Sequence, residues 1–415
     1  MLIAESYKRY PVYLKIFVFV LLLYSVGALQ FFKSAVLLTI MFYGMMLIGL
    51  LSFAHFCFTR GLNKLLLAIA LYAFLFPLYA SYQSWEIFDQ PFLLGFASLR
   101  YKWIICLACF LYLIHYPFAL LIKQINGLNL WVAGISIIGF FFFGVNKLTL
   151  QPYLFDTNTI ELVTSEVAFN TKGAFLTTCS ELMIFSYIYY LLSALQRPDK
   201  KTLFKLLILV VYLIFVNKGR QPLAVMGIIY FIYFIRMGRL SGKKIFLALL
   251  PVLGISLIFC IDSGVFDRFT TVFQGTETSD SSTAARINSV TSVWPYIQEH
   301  FLLGIGNLSA RFRHEGFHTY FGDQFYMADI GIVGMLAMGG IILMLIYTMI
   351  YYNSFKRLSL IPVYYRQYVQ YMLMTFVLML VFLSHDILFS TGCIKYALLC
   401  YPLLGNSSAR FFAKR

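Results

Sequence analysis

Apolar residues run along this chain in long blocks, and short polar segments separate them. A helix needs about 20 mostly apolar residues to cross the hydrocarbon core of a bilayer. Twelve blocks reach or approach that length: 12–32, 35–57, 64–83, 102–122, 128–147, 173–195, 202–217, 221–237, 244–261, 326–350, 366–386 and 388–405. The seventh and eighth are short, and the last carries Lys395. The pattern predicts an all-α polytopic membrane protein of about 12 transmembrane helices. Helices 1–9 fall within 1–261, a large loop fills 262–325, and helices 10–12 with a short tail occupy 326–415.

Composition agrees. Hydrophobic residues make up 61% and charged residues 12%, against about 25% charged in soluble domains. Such a chain cannot cover its own surface with polar groups, so membrane lipid is its solvent. The 32 Lys and Arg exceed the 17 Asp and Glu, giving +15. In a soluble protein that excess would suggest nucleic acid. Here the positive-inside bias of an inner membrane protein accounts for it, and no nucleic acid partner is expected. With twelve spans, 20 of the 32 basic residues lie on the side of the N-terminus, where Glu5 and Asp199 are the only acids. Both termini are therefore expected in the cytoplasm, with the loops 148–172 and 262–325 outside. Lys8 and Arg9 precede the first apolar run and no small-residue cleavage site follows, so that run reads as a first span. The seven cysteines have no zinc-type spacing and read as small core hydrophobes.

A long loop without a packing need is a place for function. Several features converge on the outer side. "NKGRQPL" puts Lys218 and Arg220 at an outer helix junction, against the topological bias, with Pro222 suited to a first helical turn. They read either as interfacial anchors or as an anion site. Residues 274–285 are small and polar, without an apolar period. Next, Ile287, Val290, Trp294, Ile297 and Phe301 form one helical stripe, expected to lie along the membrane surface apolar face down. Pro295 should bend or interrupt that helix. Arg286, at its N-terminal end, opposes the helix dipole and suits another partner. The glycine turn "LLGIGN" follows, and then a segment with Arg311, Arg313, His314, Glu315, His318, Tyr320, Asp323, Tyr326 and Asp329.

"HEGFH" (314–318) fits the zinc pattern His-Glu-x-x-His, which works only on a helix. Gly316 weakens a helix there, and no third ligand is obvious beyond Asp323 or Asp329. No P-loop, Asp-x-Asp pair or Gly-x-Ser-x-Gly elbow occurs. What remains is arginines, a base and a membrane-embedded cavity. These suit displacement of a diphosphate without a metal, with guanidinium groups stabilising the departing charge. No cofactor is expected. Within the membrane, Glu181 lines a substrate path, pairs with Lys395, or makes an interhelix hydrogen bond.

These outer-loop motifs resemble the superfamily of O-antigen polymerases and O-antigen ligases. The matching residues are Arg220 in "NKGRQPL", Arg286 with Trp294, "EHFLLGIG" (299–306) and "DIGIVG" (329–334). Phe301 stands where the family's turn has proline. The family's histidine motif falls by spacing at Tyr320, so either His318 with a small shift or Asp323 takes its role. The resemblance implies a metal-independent, inverting glycosyltransferase acting on undecaprenyl-diphosphate-linked oligosaccharide at the periplasmic face. It implies catalytic roles for Arg220, Arg286 and His318 or Asp323, and substrate contacts from Lys218, Arg311, Arg313, Tyr320 and Tyr326. Polymerisation of repeat units is the first reading. The alternatives are ligation of the glycan to lipid A core, or transport of lipid-linked oligosaccharide. A chain-length regulator in the membrane is a partner implied by the polymerase reading alone.

Overall fold

Every regular element of the computed structural model is helical among the residues it describes, which are 10–25, 35–143, 177–196, 199–213, 225–232, 281–309, 311–314, 316–322, 325, 327–381 and 392–405. In chain order the helices are α1 (Val12–Ser25), α2 (Ala35–Arg60), α3 (Lys64–Phe88), α4 (Phe92–Ser98), α5 (Leu107–Leu113) and α6 (Phe118–Phe143). Then come α7 (Thr177–Gln196), α8 (Lys200–Val211), α9 (225–232), α10 (Ser281–Glu299) and α11 (His318–Phe321). The last three are α12 (Gly331–Lys356), α13 (Val363–Val381) and α14 (Gly392–Cys400).

Among the described residues four helical stretches are long and apolar enough to cross a membrane: Thr39–Arg60, Lys64–Phe88, Phe118–Ile138 and Gly331–Leu360. The pair Phe92–Ser98 and Arg100–Leu113, bent by 42°, makes a fifth if it is one span. The expected span 244–261 and the loop 148–172 lie outside the described residues. One boundary moves substantially. The block 102–122 is interrupted at 114–117, where His115 has φ 51° and α6 restarts just after Pro117. Ile, Tyr and Phe around this turn are apolar enough to hide it in a hydropathy pattern. The helical run before this turn starts ten residues earlier than the block, at Phe92, and bends through a 3-10 turn at Arg100–Cys106.

Local chemistry sets these ends. Asn63 caps α3, its side-chain oxygen accepting from the Leu65 and Leu66 amides at 3.1 and 3.0 Å. Asp199 caps α8, accepting from the Thr202 amide at 2.9 Å. Within α3, a π turn at Leu71–Leu75 carries Tyr72. Its hydroxyl accepts from the fully buried Lys102 Nζ at 2.9 Å, and the ammonium also lies over the Tyr72, Phe76 and Tyr101 rings.

Hydrogen bonds tie each end of the bundle together. At one end, Tyr10 donates to the Ile114 carbonyl, Asn63 to that of Leu404, and Tyr401 to that of Tyr116. Arg357 Nη1 donates to the carbonyls of Leu403, Leu404 and Gly405 at 2.8, 3.2 and 3.2 Å. At the other end, Phe88, Gln90 and Ser98 meet Asn307, Ser309 and Tyr320.

Candidate functional site

The outer-loop residues gather over the second end of the bundle, on α10, the loop 300–309, α11 and the start of α12. Here α10 packs against α11, the Met327–Ile330 turn and α12. It continues through Pro295, so the expected interruption does not occur there. Both Pro295 and Thr291, whose carbonyl loses its usual partner, are on the exposed face of the helix. The expected single stripe divides as well. Ala285, Ser289, Val293 and Ile297 are buried at fourfold spacing and face the protein. Ile287, Trp294 and Phe301 recur every seven residues and are 60%, 48% and 52% exposed. The face that packs is thus the one with small residues, and the bulkier stripe points away.

Arg286 is half-buried near the start of α10. Its Nε is shielded from solvent and has no hydrogen-bond partner among the described residues. A charged donor left in that condition costs more than a neutral one, and an anion would satisfy it.

From α10 the chain turns back through Gly304, whose amide donates to the His300 carbonyl at 2.7 Å. The loop then docks into a break in α12. Gly340 has φ 58° and ψ −161°, which interrupts the helical ladder. The freed carbonyls of Ala337 and Met338 accept from the Ile305 and Gly306 amides at 2.7 and 3.0 Å. The Ile341 amide donates in return to the Phe301 carbonyl at 3.0 Å. Irregular backbone near membrane depth is tolerated where protein covers it in this way. On its other side the loop rests on α3. Gly306 has φ 78°, and a Cβ there would fall on the Ala80 carbonyl and 2.7 Å from the Ser84 nitrogen.

Beyond the loop stand the remaining described candidates. Arg311 is exposed, and its amide donates to Ser309 Oγ at 3.3 Å. Arg313 takes a left-handed backbone, φ 51° and ψ 33°. Its guanidinium lies 5.2 Å from the Phe312 ring centre and 5.6 Å from that of Tyr320. The Tyr320 hydroxyl donates to the Phe88 carbonyl at 3.3 Å, and its ring meets Phe88 edge to face at 4.7 Å. Tyr296 and Phe321 complete this aromatic floor. Arg313 and Tyr320 are therefore brought together. His318 Nδ1 lies 3.1 Å from the Gly322 carbonyl. A carbonyl only accepts, so the tautomer that makes this contact a hydrogen bond has its proton on Nδ1 and leaves Nε2 as the acceptor nitrogen.

Among the described residues of 314–318 no helix runs through, as a His-Glu-x-x-His zinc site requires. His314 ends a 3-10 turn, Gly316 has φ 58°, and α11 begins only at His318. Asp323 and Tyr326, like Lys218 and Arg220, lie outside the described residues, and so do the side chains of His314, Glu181 and Asp329. Lys395, a proposed partner of Glu181, is buried in α14. Two polar residues of note escaped the pattern reading. Gln90 is fully buried at the seam between the loop and α3, and "FDQP" has no signal beyond that of a turn. Lys102 is fully buried too, and its position at the edge of an apolar block disguises it as an interfacial residue.

Residues 205–348 match a family model described as O-Antigen ligase. The matched span runs from α8 into α12 and contains every candidate site residue from Lys218 to Tyr326. The search of curated proteins gives no match. Membranous, all-helical architecture and this match agree with the resemblance carried by the outer-loop motifs.

Proposed function

We propose, from the match of residues 205–348 to the O-antigen ligase family model and from outer-loop motifs that resemble the O-antigen ligase and polymerase superfamily of membrane glycosyl-transfer enzymes, that the chain polymerises undecaprenyl-diphosphate-linked oligosaccharide repeat units at the periplasmic face of a bacterial inner membrane. In this reading about 12 spans place both termini in the cytoplasm. A terminal sugar hydroxyl of the incoming unit attacks the anomeric carbon of the growing chain. The new glycosidic bond forms as the bond from that carbon to the diphosphate oxygen breaks. The electron pair leaves with undecaprenyl diphosphate, the anomeric configuration inverts, and the hydroxyl proton passes to a base.

Arg286 and Arg220 hold the diphosphates and stabilise the charge that develops on the leaving group. The observation that carries this role is the Arg286 Nε, enclosed and unpartnered among the described residues. His318 accepts the proton at Nε2, because its Nδ1 faces the Gly322 carbonyl. Asp323 is the alternative base. Tyr320 and Tyr326 position sugars, and Lys218, Arg311 and Arg313 supply further positive charge. A chain-length regulator is the membrane partner this reading implies.

The test is elongation of lipid-linked repeat units by the purified protein, with Arg286→Ala and Arg220→Ala alongside at matched membrane levels. Loss of one charged donor at a developing anion is worth about 10²–10³ in turnover. Full-length polysaccharide from both variants would defeat the assignment. A deletion strain separates the alternatives. Lipid A core capped with a single repeat unit indicates a lost polymerase, and uncapped core indicates a lost ligase.

A further inference from the structure

Gln90 is fully buried and uses both ends of its amide. Nε2 donates to Ser84 Oγ at 3.0 Å and to the Asn307 carbonyl at 2.9 Å. Oε1 accepts from the Ser309 amide at 2.6 Å. Asn307 answers with its own side chain, Nδ2 donating to Ser98 Oγ at 2.8 Å. Three bonds thus clamp the loop between α3 and α4, two residues before Arg311, and the fourth anchors Gln90 itself on α3. The surroundings leave little room for another arrangement. A Cβ on Gly95 would stand 2.7 Å from Gln90 Nε2, and Gly306 lies directly on α3. From Ser309 the connection continues, because its Oγ accepts from the Arg311 amide. On the opposite side the same loop is tied to the end of α10, the helix of Arg286, through Gly304 and His300. What they set is the position of one set of site residues relative to another.

We propose that Gln90 is a positioning residue for glycosyl transfer. It fixes the loop 304–309 on the α3–α4 hairpin, and so holds the segment bearing Arg311, Arg313 and His318 in register with Arg286 on α10. The inference rests on the glycosyl-transfer reading above and extends it to a residue outside the matched span. The physical ground is twofold. An apolar replacement of the same shape removes the donor to the Asn307 carbonyl and the acceptor of the Ser309 amide at this seam, so the loop loses two of the bonds that seat it and shifts. A shift of about 1 Å in groups that align reactants costs about 10²-fold in rate.

The experiment uses full-length protein in lipid nanodiscs with an undecaprenyl-diphosphate-linked repeat unit as probe. Gln90→Leu is compared with Gln124→Leu, which removes a similar pair of bonds at the opposite end, from the Tyr116 hydroxyl and to the Lys15 carbonyl. Gln90→Leu is expected to lower kcat per folded molecule by about tenfold or more, with KM changed by less than about twofold. Its amides at 305–312 should exchange with deuterium faster than in the wild type. Gln124→Leu should lower heat stability and leave kcat and those amides unchanged. Asn307→Ala, which removes only the bond to Ser98, gives a smaller effect in the same direction and serves if the leucine variant does not fold. Unchanged kcat in the loop variants, an equal loss in Gln124→Leu, or unchanged exchange at 305–312 would each overturn the proposal. If wild-type protein transfers no lipid-linked glycan, the functional reading fails, and the exchange measurement still decides whether Gln90 holds the loop.

Discussion

Alanine placed at three glycines separates two physical effects at the loop seam. Gly127 lies inside α6 with open space around it, so Gly127→Ala should leave stability unchanged or raise it by about 0.5–1 kcal/mol. Gly61 follows α2 with φ 72° and also has open space. Gly61→Ala therefore reports the backbone effect alone, a loss of about 1–2 kcal/mol. Gly306 combines φ 78° with contact against α3, where a methyl would overlap the Ala80 carbonyl. Neither obstacle is the far end of a flexible side chain, since both Ala80 oxygen and Ser84 nitrogen belong to a helix backbone. The loop must lift, which adds the 1–3 kcal/mol typical of overpacking. Gly306→Ala should then cost about 2–5 kcal/mol in all. The assay is a heat challenge of detergent-solubilised protein, followed by size exclusion to read the surviving fraction. The predicted order of heat resistance is Gly127→Ala, then Gly61→Ala, then Gly306→Ala. A Gly306→Ala variant as resistant as Gly127→Ala would refute the docking of the loop on α3.

Two further predictions concern the other end. Arg357→Met removes the donor to the carbonyls of Leu403, Leu404 and Gly405 and should lower stability by about 1.5 kcal/mol, the low end for charged donors because the side chain is only half-buried; the same heat challenge reads it. The Thr202 hydroxyl and amide hold the Asp199 carboxyl below the usual aspartate range. A depressed folded pKa means that this stabilisation is present above the unfolded value and is lost as pH falls through the folded one. Asp199→Ala should therefore be less heat-resistant than wild type at neutral pH, and the difference should close at a pH low enough to protonate the wild-type carboxyl. A constant difference across that range would show that the charge on Asp199 plays no part.

Hydropathy made the class of fold legible, because block length is a direct measure of what can cross a bilayer. At the bundle ends, Asn63 meets Leu404 and Phe88 meets Tyr320, contacts that join segments far apart in sequence. The turn at 114–117 was hidden, because His, Tyr and Pro there are flanked by Ile, Leu and Phe that continue the apolar run. The fate of α10 was half legible. Its helical period was visible, but periodicity does not say which face packs, and Ala285 and Ser289 pack closely because they are small. Pro295 read as a breaker because the exposure of its lost partner is a tertiary fact. "LLGIG" was visible as a turn, whereas its seat in the Gly340 break joins residues far apart in sequence. Gln90 had no signature, since a buried amide differs from a surface one only by its partners.

Sidedness is the claim on which the reading depends, and labelling measures it directly. Glu299, at the exposed end of α10, and Lys200, at the exposed start of α8, are each replaced by cysteine in a chain whose native cysteines are serine or alanine. Spheroplasts are treated with a membrane-impermeant maleimide before and after lysis. The account predicts that Glu299→Cys is labelled in intact spheroplasts and Lys200→Cys only after lysis. Labelling of Lys200→Cys from outside, with Glu299→Cys protected until lysis, would place the arginines in the cytoplasm and contradict it.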